Sequence, residues 1–260
     1  MSLGAPLADH GLWSLMQRLK GHRWLDLTHT FSPTTPYHPS FRPAEFTKIY
    51  DHEDLIDGQR AGFRSHEYRF VGQWGTHVDP PIHYHAGLRH LDDIPVEEMI
   101  LPLVVLDISR KVATDPDTCA ALTDVEAWEQ RWGRIPAGAF VALRSDWSKR
   151  WPDQDRMMNK DADGICHFPG WSLPVLKLLF EARAIRACGH ETTDTDPGFA
   201  SSRGDYSLES YVLGRNCWQI EMLAHLDQVP EAGSLIVATW PKAEKGSGFP
   251  ARAFAILPAN

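Results

Sequence analysis

Between residues 73 and 83 the chain reads Gln-Trp-Gly-Thr-His-Val-Asp-Pro-Pro-Ile-His, and this run limits the backbone more than any other. Glycine at 75 lets another segment approach closely, and the prolines at 80 and 81 turn the chain sharply. What precedes them suits an extended strand, in which side chains at i, i+2, i+4 and i+6 share one face. Gln73, His77 and Asp79 then point the same way, and Gly75 leaves that face open between them. Ligand-type groups converging beside a side-chain-free gap fit a metal site with one open position. Beyond the turn, His83 is off the ligand line and can reach back over that position as an acid or base. In a chain with thirteen histidines a lone His-x-Asp means little. The spacers carry the reading, because glycine and proline have backbone tasks that a chance cluster would not need.

Charge and length narrow the rest. A net charge of −8 with no Lys/Arg block argues against a nucleic-acid partner, since phosphates need a basic face. The longest apolar stretches, 99–108 and 235–240, are far too short to span a bilayer, so no membrane partner is expected. The first residues lack the basic start and apolar core of a signal peptide, and a cytoplasmic protein is expected. Cys119, Cys166, Cys188 and Cys217 contain no C-x-x-C pair, which disfavours a structural zinc knot. No repeat or Gly/Ser linker divides the 260 residues, so one domain over 1–260 is expected.

Strands are expected at 24–31, 100–108, 140–144, 184–189, 217–223, 235–240 and 252–257, with an alternating segment 63–73 running into the motif. Thr123-x-x-Glu126 reads as a capping box opening a helix to about Trp132. A second helix fits 173–184, with Pro174 in its first turn, and a third fits 208–213, closed by Gly214. Helices and strands interleave without a strict βαβ rhythm, which predicts an α/β fold with a mixed sheet. The polar stretch 190–205 is expected as a loop at the surface or the active site. No G-x-G-x-x-G follows a strand and no G-x-S-x-G elbow occurs, which disfavours a nucleotide cofactor and a serine hydrolase.

Gly75-Thr76-His77-x-Asp79-x-Pro81-x-His83 resembles the hallmark His-x-Gly-Thr-His-x-Asp-x-Pro-x-His of the cyclase-type metal-dependent hydrolases, the family of bacterial kynurenine formamidases and isatin hydrolases. Only the first position departs, where Gln73 stands. The likeness continues through Asp26-Leu27-Thr28-His29, Phe168-Pro169-Gly170, Leu213-Gly214-Arg215, Ile220-Glu221-x-Leu223 and Gly246-x-Gly248-x-Pro250-x-Arg252. It implies a mixed-sheet β/β/α swivelling fold, a small-molecule substrate and assembly as a homodimer or larger homo-oligomer. It also implies that His77, Asp79 and Glu221 are metal ligands and that His83 is the general acid/base. Gln73 takes the place of a ligand histidine. Glu209 stands where many members have another, and His38 lies near the position of the family's substrate-stacking tryptophan.

These departures remove imidazole nitrogen twice and add oxygen twice, which favours Mn²⁺ over Zn²⁺ as the divalent ion. A buried carboxylate at 221 would need a cation or several donors. Glu209 also fits a solvated first helical turn, and Glu191 fits an orienting role in its loop. The aromatic residues Trp74, Phe63 and Tyr84, with His38, are expected to wall the substrate site. The expected reaction is hydrolysis of a small amide by a metal-activated water. A cyclic lactam such as isatin and an N-formyl arylamine such as N-formylkynurenine are the leading substrates. A lactone hydrolase or a cyclase/dehydratase on the same site, and a non-catalytic metal or ligand binder, are the alternatives. A substrate panel separates the enzymes, and metal content identifies the binder.

Overall fold

The computed structural model describes residues 11–259. Its strands, in chain order, are β1 (Trp24–Asp26), β2 (Glu45–Tyr50), β3 (Leu55–Ile56), β4 (Gln59–Arg60), β5 (Ser65–Arg69), β6 (His77–Asp79), β7 (Ile100–Asp107), β8 (Phe140–Arg144), β9 (Ala187–His190), β10 (Trp218–Glu221), β11 (Ser234–Thr239), β12 (Phe249–Pro250) and β13 (Arg252–Ile256). Nine of them form one sheet in the order β1-β13-β11-β7-β8-β9-β10-β6-β12. The centre, β7 to β10, is parallel, and both flanks are antiparallel. This is the mixed α/β sheet expected from the interleaved pattern.

β12 is the last strand in that order and β13 the second, next to the opposite end, yet only Ala251 separates them in the chain. The sheet therefore curls until its two ends meet in one segment. Ala224 donates its N–H to the Leu27 carbonyl and Thr28 forms an antiparallel bridge with Leu223, stitching the seam.

Strand alternation sorts the core onto two faces. Leu103, Val105, Phe140, Ala142 and Ala187 point into the curl, where Val78, Ile220 and Leu223 join them. Val104, Leu106, Val141, Leu143 and Cys188 point outward and are covered by the helices Leu122–Trp132 and Leu173–Lys177. Each fully buried Leu, Val or Phe in these layers contributes about 1.5–3 kcal/mol relative to exposure. Among the described residues, no helix is long and apolar enough to cross a membrane.

Several elements depart from the sequence pattern for local reasons. The helix from Leu122 starts one residue before Thr123, and it is Asp124 that accepts from the Ala121 N–H, in place of a Thr123/Glu126 box. The 173–184 helix loosens into a π-turn over Leu178–Ala182. Gly214 is the last residue of the helix Ser207–Gly214, not a left-handed cap; the positive φ falls at Asn216. Glycine at 214 instead makes room for the His85 ring, which would lie 2.9 Å from a Cβ there. The 63–73 segment does not enter the main sheet, because β5 pairs with β2 in a separate two-stranded ribbon.

Candidate metal centre

The site lies where β6 is sandwiched between β10 and β12. The antiparallel register sets His77 opposite Glu221 and Asp79 opposite Gln219, with Val78 and Ile220 turned into the core. Cross-strand partners on one face lie close enough to interact, so four polar side chains meet without any loop having to fold over them. Pro80 and Pro81 then start a 3₁₀ turn, Pro81–His83, that carries His83 back towards Asp79. The helix Ser207–Gly214 brings Glu209, and its first turn is held by Asp196, whose carboxylate accepts from the Leu208 and Glu209 N–H groups.

Two sets of donor atoms result, His77/Asp79/Glu221 and Asp79/His83/Glu209, and within each set the atoms lie within 4.8 Å of one another. Asp79 belongs to both. His77 Nε2 is 3.3 Å from Asp79 Oδ2 and 3.6 Å from Glu221 Oε2. Its Nδ1 lies 2.8 Å from the Gly75 carbonyl, an acceptor only, so Nδ1 carries a proton and Nε2 is the nitrogen that faces the carboxylates. His83 Nε2 lies 4.0 Å from Asp79 Oδ1 and 3.9 Å from Glu209 Oε1.

The chemistry of this set fits a divalent cation. Asp79, Glu209 and Glu221 are all buried, and their ion-pair partners among the described residues are imidazoles. Burial pushes the carboxyl groups of Glu221 and Glu209 well above their ordinary range, and the mutual repulsion of the acidic cluster adds to it. Burial would also raise Asp79, but contact with His77 outweighs it and holds that group at about 2. Converging buried carboxylates of this kind need a counter-cation to ionise together.

Several residues here were not singled out by sequence. Gln219, wholly buried, donates from Nε2 to Glu221 Oε1 at 3.1 Å, Glu209 Oε1 at 3.2 Å and Asp79 Oδ2 at 3.4 Å, while Thr195 Oγ1 donates to its Oε1 at 2.7 Å. The signal was present as a polar pair, Gln219 and Glu221, two apart in an apolar strand. His190, at the end of β9, places Nε2 3.3 Å from Glu221 Oε1, and burial lowers its pKa to about 3, leaving it neutral. That Nε2 is buried without a hydrogen-bond partner. Asp194 also lines the cavity, and burial, reinforced by Asp196, raises it to about 7.

A cavity of about 300 Å³ opens over these groups. His38, Phe41, Tyr84 and Tyr206 are among its walls, with Gln73 and Met222 nearer the ligand set. Two expected wall residues lie elsewhere. Trp74 is fully buried, stacks on Tyr37 at 4.9 Å and donates from Nε1 to the Ser32 carbonyl. Phe63 is half exposed on the outer ribbon, packed against Tyr50. They were expected at the site because Trp74 lies within the motif and Phe63 flanks it, but Trp74 turns into the core and Phe63 precedes the strand β5 of the separate ribbon.

Gly75 itself corrects the extended line drawn through 73–79. Its φ is +62°, the strand proper is only His77–Asp79, and the open side of Gly75 faces Phe31 and Thr35. Gln73 nonetheless returns to the site, donating from Nε2 to Ser247 O at 2.8 Å and Asp79 Oδ1 at 3.3 Å. Glu209 is buried, so the solvated-turn alternative does not hold. Glu191 accepts from the Ser145 N–H and from the Ser145 and Ser148 hydroxyls, which ties its loop to the end of β8.

Known proteins match this chain over most of its length. A family model described as "Putative cyclase" matches residues 25–197. An isatin hydrolase of Roseibium aggregatum is 32% identical over 247 residues, which are 90% of this chain and 91% of that protein. The structure of isatin hydrolase A from Ralstonia solanacearum superposes with a TM-score of 0.86 at 32% identity, covering 99% of this chain and 100% of that one. An isatin hydrolase bound to the product analogue thioisatinate superposes with a TM-score of 0.87 at 29% identity, covering 98% and 100%.

Proposed function

The chain belongs to the cyclase family, and from that premise we propose that it is a metal-dependent amidohydrolase that opens a small cyclic amide, with isatin the first substrate to test and N-formyl arylamines the second. The observation that carries this reading is the pair of donor sets sharing Asp79 beneath a cavity of about 300 Å³, room for a small bicyclic lactam.

His77, Asp79 and Glu221 would hold a divalent ion, with Gln73 beside Asp79 at its edge. When bound, such an ion polarises an amide carbonyl and lowers the pKa of a water beside it. Manganese is the ion we expect, because oxygen donors outnumber the single imidazole. The chain's own residues supply the rest. The Gly75 carbonyl fixes the His77 tautomer, and Gln219 orients Glu209, Glu221 and Asp79. His83, partly open to the cavity and facing Asp79 and Glu209, is placed to take the proton of an attacking water and deliver it to the departing nitrogen.

Two further readings belong with this one. The helix Leu12–Lys20 buries none of its residues and exposes Leu12, Leu15 and Met16, which supports a homo-oligomer. The four cysteines are free, which supports a reducing compartment such as the cytoplasm.

His83→Ala is the test of the mechanism. It should retain the parent's metal content while kcat on isatin falls by roughly 10²–10⁴. A variant that keeps full turnover would make His83 a structural residue. Activity on simple lactones but not on isatin or N-formylkynurenine would replace the amide reading with the lactonase one.

A further inference from the structure

We infer that Tyr206 recognises the second oxygen of a vicinal dicarbonyl substrate, and that His38, pinned by Ser40, leaves the tyrosine hydroxyl free to donate into the cavity. This deepens the proposed function and rests on it for the identity of the substrate.

The direction of each hydrogen bond follows from the donors that cannot be reversed. The Ser40 backbone N–H donates to His38 Nδ1 at 3.3 Å, and the Ser40 hydroxyl lies 2.7 Å from the same nitrogen. A protonated Nδ1 would set N–H against N–H, so Nδ1 is the acceptor. Burial lowers the His38 pKa, so the ring is neutral and its one proton sits on Nε2. Nε2 is 3.2 Å from the Tyr206 hydroxyl and therefore donates to it. Among the described residues that is the only hydrogen bond the Tyr206 hydroxyl makes. Its own proton is thus uncommitted, and Tyr206 lines the cavity.

Apart from His83, which the proposed function uses for the attacking water, the donors named here around the cavity already have acceptors. Tyr84 is engaged with Glu209, Thr193 Oγ1 with Asp194, and the Gln73 amide with Asp79 and Ser247. On the proposed function the far side, with Asp79 and Glu221, is taken up by the ion that faces the scissile carbonyl, so it offers no donor to a second oxygen. A substrate with one carbonyl at the scissile bond and another beside it needs a donor for the second oxygen. Tyr206 is the side chain so arranged, and burial together with the Asp194 and Glu209 charges keeps its phenol protonated.

Tyr206→Phe removes only the hydroxyl. In the manganese-loaded full-length chain, calorimetric binding of isatinate, the ring-opened product, should weaken roughly tenfold, the ordinary effect of losing one hydrogen bond to a buried acceptor. KM for isatin should rise by a similar factor with kcat nearly unchanged. His38→Ala should weaken isatinate binding in the parent and add nothing in the Tyr206→Phe background, because it acts through that hydroxyl. Metal content should be that of the parent in all three variants. Isatinate affinity unaffected by Tyr206→Phe, additive losses in the double variant, or no isatinate binding to the parent would each overturn the inference. If the parent binds isatinate in a Tyr206-dependent way but does not turn isatin over, the inference stands and the proposed reaction falls.

Discussion

One amide nitrogen, Nε2 of Gln219, faces three carboxylates at 3.1, 3.2 and 3.4 Å. A primary amide has two protons, so it cannot satisfy all three, and the remaining lone pairs are left for a cation. Thr195 holds the carbonyl end and prevents the group from flipping. Gln219→Leu keeps the volume but removes both donors. The metal-free protein should lose about 1–3 kcal/mol, the cost of leaving buried acceptors unpaired. That corresponds to roughly 2–4 °C in Tm for each kcal/mol. Manganese affinity should fall as well, since the carboxylates lose their common anchor. Thermal melts in chelator, followed by a manganese titration, measure both effects. An unchanged melt in chelator would show that Gln219 is merely accommodated there.

At the scale of elements, the contact between β9 and β10 sets how close the ligand strand can come. A Cβ on Gly189 would lie 2.7 Å from the Ile220 carbonyl and 2.6 Å from Phe140 Cζ. Gly189→Ala should therefore push β10 outward at about 1–3 kcal/mol of overpacking, and displace Glu221 with it. Lower Tm together with weaker metal binding is the expected pair of results; a loss of stability alone would mean that β10 stays in place. The sequence made much of this architecture readable. β7 and β8 announce themselves as apolar runs, and the proline pair at 80–81 marks the turn before His83 because its effect is local. The positions of His190, Gln219, Asp194 and Tyr206 were not readable, since they depend on which strands become neighbours. Nothing within 217–223 says that residue 219 will fall opposite Asp79. The expectation for Phe63 fails for the same reason, since nothing in 63–73 says that β5 pairs with β2 outside the main sheet.

For the molecule as a whole, closure of the curl depends on 249–256, which contributes none of the candidate ligands but pairs with β6 at one end and with β1 and β11 at the other. A chain ending at Gly248 retains His77, Asp79, His83, Glu209 and Glu221. It should nevertheless fail to bind manganese, because β6 loses its outer partner and the apolar interior is opened to water. Elemental analysis and circular dichroism of that truncation test this; a truncated protein that still takes up a full complement of metal would show that β6 is held by β10 alone. The seam also fixes an order of events during synthesis. Every residue that would grip the ion leaves the ribosome before the segment that locks them together, so a nascent chain has the ligands without the vessel. Lasting uptake of an ion would then await synthesis of residues 249–256 and closure of the seam.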